Sequence, residues 1–125
     1  MSKKITEAIS HLVAWLENQR LDTTVEKRTQ ASLERCLVQS GFVFEREKRL
    51  SGSDIVDFII DIDGFSIAVE IKTKAVRKQI YRQLERYTQH DSVDGIVLLT
   101  GTAINLPNPI NEKPSAVASL GAGWL

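Results

Sequence analysis

A single cysteine, Cys36, leaves this chain with no internal disulfide and no cysteine-built zinc site. The two histidines, His11 and His90, are too few for a histidine-rich metal centre. An excess of one charge is also lacking, because 16 basic and 16 acidic residues cancel. The molecule as a whole is therefore no polycation that coats nucleic acid, and any such contact needs a local basic patch. No apolar run approaches membrane-spanning length, and the lysine-rich start has no signal-type apolar core behind it. These absences predict a soluble, cytoplasmic protein with no membrane partner. Proline is confined to Pro107, Pro109 and Pro114, which predicts an irregular tail over about residues 101–125.

What is present suits one compact domain. At 125 residues and 42% hydrophobic, the chain can bury a core without covalent staples. Ile5, Ile9, Leu12, Val13 and Leu16 recur at helical spacing and predict a first helix over about residues 3–20, with Ser2 as a cap. A second helix runs to about Ser40, with Gly41 as its stop. Within it Cys36 lies in an amphipathic pattern that predicts burial. Strand patterns follow near residues 42–50, 55–62 and 65–72. A helix over about residues 74–90 has Val76, Ile80, Leu84 and Tyr87 on one side, and a short buried strand covers about residues 95–100. Ala116 to Leu120 is suited to one more strand. A strand–helix–strand order implies a parallel pairing. The fold class is α/β, a mixed β-sheet flanked by helices.

The central hairpin concentrates the chemistry. Asp63-Gly64 is a strong signal for a two-residue turn. With Ile62 facing Phe65, the register sets Asp57 opposite Glu70 and Ile55 opposite Lys72. Alternation then sends Asp57, Glu70 and Lys72 to one face. Val56, Phe58, Ile60, Ile62, Phe65, Ile67, Val69 and Ile71 go to the other, apolar face. Asp54 lies an odd number of residues from Asp57, so a regular strand turns it away, and Asp57 is the expected site aspartate. An acidic pair beside a lysine can hold a divalent cation and support hydrolysis. It can equally be a cross-strand salt-bridge cluster of little energetic weight.

Asp57, followed by Glu70-Ile71-Lys72 on the next strand, resembles the PD-(D/E)xK nuclease superfamily, although Val56 stands where that motif has proline. Gln83-x-x-x-Tyr87 on the following helix is similar to the QxxxY of its RecB-like and lambda-exonuclease-like members. The element order resembles the restriction-endonuclease-like αβββαβ core, over about residues 24–100, with an extra N-terminal helix. The resemblance implies a magnesium- or manganese-dependent DNase of bacterial or phage type, in recombination, repair, restriction or phage DNA processing. It implies Asp57 and Glu70 as metal ligands with the Ile71 carbonyl, Glu26 as an added ligand, and Lys72, Gln83 and Tyr87 as further catalytic positions.

Elementary chemistry agrees with those roles. Mg²⁺ takes oxygen ligands and keeps several waters. A lysine beside it can orient water or stabilise charge on phosphate. Glu26 has a second reading, because Thr23-Thr24-Val25-Glu26 fits a capping box. Lys74, Arg77, Lys78, Arg82 and Arg86 form a basic helix face beside the site, a track for DNA phosphates. Lys78, Arg82 and Arg86 read as one stripe. A domain this small would act as a homo-oligomer or as a subunit of a larger DNA-processing complex. The alternative function is a catalytically silent DNA- or junction-binding module with the same fold.

Overall fold

The structure is a computed structural model, and it describes residues 2–125, with side chains from Lys4 onward. In chain order the elements are α1 (Ser2–Glu17), α2 (Glu26–Ser40), β1 (Val43–Arg49), β2 (Ile55–Ile62), β3 (Phe65–Lys72), α3 (Arg77–Thr88), β4 (Gly95–Thr100) and β5 (Ser115–Ser119). The five strands form one mixed sheet in the order β1-β2-β3-β4-β5. The first three pair antiparallel, and β3–β4 and β4–β5 pair parallel.

Helices cover both faces. Ile5, Ile9, Leu12 and Leu16 of α1, with Leu33 and Leu37 of α2, pack on Phe58, Ile60, Ile67, Val69 and Val97. On the opposite face Ile80, Leu84 and Tyr87 of α3 meet Ala68, Ile96 and Leu98. All six residues of β4 are buried, as expected for a strand covered on both sides. No helix among the described residues is long and apolar enough to cross a membrane.

The hairpin turn follows from its residues. Asp63 at φ 54° and Gly64 at φ 85° have the two positive φ angles of a type I′ turn. That turn sets the pairs Ile62↔Phe65, Ile60↔Ile67 and Phe58↔Val69. At the other end of α2, Gly41 adopts the left-handed conformation that stops the helix.

Several expectations need correction. Helix α1 ends at Glu17 and α3 starts at Arg77, so both are shorter than their patterns suggest. Val76 stands just before α3 and is exposed, rather than lying on its buried side. Cys36 is only partly buried. The tail is more ordered than its prolines imply. Besides β5, which forms where Ala116 to Leu120 was expected to give a strand, it buries Ile110 against the α3 layer and ends with Trp124 Nε1 donating to Leu21 O at 2.9 Å.

The capping box does not form. The residue before α2 is Val25, which makes no side-chain cap, and Asp22 instead accepts from Thr24 N at 2.9 Å. The reason is positional: Thr23 lies two residues too early to reach the first free amides of α2.

Because Gly64 holds φ 85°, Gly64→Ala is expected to cost about 1 kcal/mol of stability, read from urea unfolding. An unchanged midpoint would contradict the turn geometry.

Candidate active site

The regular ladder between β2 and β3 stops at Phe58↔Val69. Beyond that pair β3 stays with β4 as far as Lys72↔Thr100, and β2 stays with β1 as far as Arg49↔Ile55. The two central strands therefore part while each keeps its outer neighbour. Glu47, opposite the parting point, takes φ 53°, uncommon for a non-glycine residue, and joins neither flanking pair.

Side chains take over the backbone groups that the parting releases. Asp57 N donates to Glu70 Oε1 at 3.2 Å, and Ile71 N donates to Asp57 Oδ2 at 2.7 Å. Two carboxylates thus stand in for ladder carbonyls. The expected pairing of Ile55 with Lys72 is not made, and the Ile55 carbonyl instead accepts from Tyr87 Oη at 2.9 Å. The same parting overturns the expected place of Val56. It packs with Ala68, Ile80 and Tyr87 on the α3 face, rather than with Phe58 and Ile60.

Asp57, Glu70 and Lys72 come together in this fork. Glu70 is 3% exposed, and its Oε2 lies 3.9 Å from Lys72 Nζ. Burial, then the neighbouring Asp57 charge, pushes Glu70 up to about 8. Burial also raises Asp57, opposed by the Ile71 amide and the Lys72 charge and reinforced by Glu26. Asp54 is not part of the fork. It accepts from Arg86 Nε at 3.3 Å and pairs with His90 Nε2 at 3.0 Å.

Sequence reasoning passed over the residues that aim Asp57. Gln30 Nε2 donates to Asp57 Oδ1 at 2.8 Å. The Gln30 carbonyl oxygen accepts from Arg46 at 3.4 Å, and Arg46 is bound in turn to Glu34 at 3.0 Å. Gln30 sits one helical turn after Glu26, which is the signal that could have placed both near the fork. Gln83 Nε2 donates to Tyr87 Oη at 2.8 Å. Tyr87 therefore clamps the β2 arm, and Gln83 orients Tyr87. Burial raises the Tyr87 hydroxyl well above its ordinary range, so it stays a donor.

The basic residues divide. Lys72, Lys74 and Arg86 line a groove of about 410 Å³ with Glu26, Gln79 and Gln83. Arg77, Lys78 and Arg82 line a different groove, so the expected single stripe beside the carboxylates is split. Helix rotation explains this, since Arg86 is two turns past Lys78 and has precessed toward the fork.

The donor set at the fork is oxygen only. Among the described residues no three His, Cys, Asp or Glu side chains form a cage. Two carboxylates suit Mg²⁺ or Mn²⁺, which retain water, better than Zn²⁺, which takes four protein ligands in structural sites. The Ile71 side chain is in the core, so only its main chain serves the fork. Glu26 borders the groove, and its charge reaches Asp57. No family model matches the chain, and no curated protein matches it.

The carboxylate pair makes a pH prediction for chelator-treated protein. Folded Glu70 keeps its proton up to about pH 8, whereas its ordinary value is 4.5. Between those values the folded state binds the extra proton, so stability falls as pH rises. Glu70→Gln should remove most of that fall. It should match the parent near pH 5 and melt higher at pH 9, as read by thermal scans across that range. Parallel pH profiles would contradict a buried, protonated Glu70.

Proposed function

We propose that this protein is a divalent-metal-dependent nuclease of the PD-(D/E)xK kind, similar to the RecB-like group, hydrolysing phosphodiester bonds in DNA. The observation that carries the reading is the pair of carboxylates side by side where the sheet forks, Glu70 buried and Asp57 half-buried, with a lysine at their edge. Ionising both carboxylates in this place would destabilise the fold, and keeping one protonated gives packing no advantage over an apolar side chain, so packing alone gives no reason to keep the pair. A bound cation reverses that cost.

Asp57, Glu70 and the Ile71 main chain would hold the ion, with Glu26 as an outer contributor. When bound, Mg²⁺ or Mn²⁺ supplies Lewis-acid polarisation of the phosphodiester and a more acidic water. Gln30 holds the Asp57 carboxylate through Oδ1, leaving its remaining lone pairs for the site. Lys72, about one-third exposed at the groove, donates to water or to a phosphate oxygen as charge develops there. Lys74 and Arg86 flank the same groove and bind neighbouring phosphates. Gln83 and Tyr87 fix the β2 arm and hence the spacing of the carboxylates.

The test is cleavage of plasmid and linear DNA with Mg²⁺ or Mn²⁺. Lys72→Ala should abolish cutting while folding and ion binding persist, because Lys72 serves water and phosphate rather than the core. Asp57→Asn should abolish cutting by weakening ion binding. Full activity in either purified variant would contradict the assignment. Salt-sensitive DNA binding with no cutting under either metal would favour a silent DNA- or junction-binding module instead.

A further inference from the structure

The cations on α3 serve two grooves. On the flank away from the carboxylates, Arg77, Lys78, Tyr81, Arg82, Glu85 and Pro107 line a groove of about 560 Å³. Three cations face one carboxylate there. Among the described residues no acidic group lies within ion-pair distance of Arg77, Lys78 or Arg82. Arg77 is positioned without being neutralised, since its Nε donates to the Asn105 carbonyl at 3.1 Å. Tyr81 is held at the groove by its hydroxyl, 3.3 Å from Glu85 Oε2.

This combination is selective in its chemistry. Cations alone would suit the backbone of any nucleic acid. An aromatic ring in the same groove adds something only if a base is free to leave its own stack, as in a single strand. Pro107 supplies a second apolar surface at the same groove. An acidic peptide would use the cations but would gain little from the ring.

We propose that this groove binds a single-stranded stretch of nucleic acid, with phosphates on Arg77, Lys78 and Arg82 and a base against Tyr81. The inference deepens the nuclease reading and rests on it for its biological sense. Helix α3, about 10–12 Å across with its side chains, stands between this groove and the one beside the carboxylates. The two strands of a frayed or forked DNA would part over it, one toward Lys72 and the other toward Tyr81.

The experiment measures binding of the full chain, in chelator so that no cutting occurs, to a fluorescent oligothymidylate and to a blunt duplex of equal length. Tyr81→Ala should weaken the oligothymidylate about tenfold, as loss of one base stack requires, and leave the duplex nearly unchanged. Tyr81→Phe keeps the ring and should keep most of the affinity, which separates stacking from damage to the fold. Arg82→Ala should reduce the salt slope for the single strand by roughly 0.7. An unchanged oligothymidylate affinity in Tyr81→Ala, or an equal loss for both DNAs, would overturn the proposal. Because the readout needs no metal, intact Tyr81-dependent binding with no cleavage would sink the nuclease reading alone. Cleavage that persists without a single-strand preference would sink this groove alone.

Discussion

The site depends on an interruption of the β2–β3 ladder. Backbone groups in a sheet must be satisfied, and when two strands part their amides need other acceptors. Here the acceptors are the side chains of Glu70 and Asp57, which take the amides of Asp57 and Ile71. The interaction that completes the sheet is also the one that brings half-buried Asp57 against buried Glu70. Folding and the proposed chemistry therefore draw on the same four groups.

Both helical layers support that fork from outside. On one side α2 supplies Gln30, aimed by Arg46 of the edge strand, to hold Asp57. On the other side α3 supplies Tyr87, which donates to the Ile55 carbonyl where β2 has left β3. Arg86 and His90 tie down Asp54 at the foot of the same strand. The β2 arm is thus gripped at Asp54, Ile55 and Asp57, and β3 is held straight by its parallel partner β4. A rigid fork of this kind presents its oxygens in fixed positions, which is what ion binding and positioning of a phosphate require.

Much of the scaffold was legible in the sequence because local chemistry dictates it. Asp63-Gly64 demands a turn with positive φ angles, and the turn sets the hairpin register as far as Phe58↔Val69. Gly41 stops α2 for a related reason. The fork itself was not legible. Alternation assumes a regular strand, and the sheet departs from regularity where Glu47 and Asp57 drop out of the β1–β2 pairing, so Val56 changes sides. Tertiary hydrogen bonds cause that departure, and no residue pattern within β2 announces it. The capping box failed because Asp22 organises the approach to α2 through Thr24. The late strand expected over Ala116 to Leu120 is β5, whose small residues fit beside the buried β4, whereas the order of the proline-containing stretch before it rests on tertiary contacts of Ile110 and Ser115 that no local pattern announces.

Binding of one divalent cation at the fork is the proposed property on which the nuclease reading rests. The direct measurement is paramagnetic broadening of backbone amide resonances as substoichiometric Mn²⁺ is added. Saturable broadening centred on Asp57, Glu70, Ile71 and Lys72 is expected, displaced by Mg²⁺ and lost in Asp57→Asn. Broadening that is unsaturable, centred elsewhere, or unchanged in that variant would contradict it.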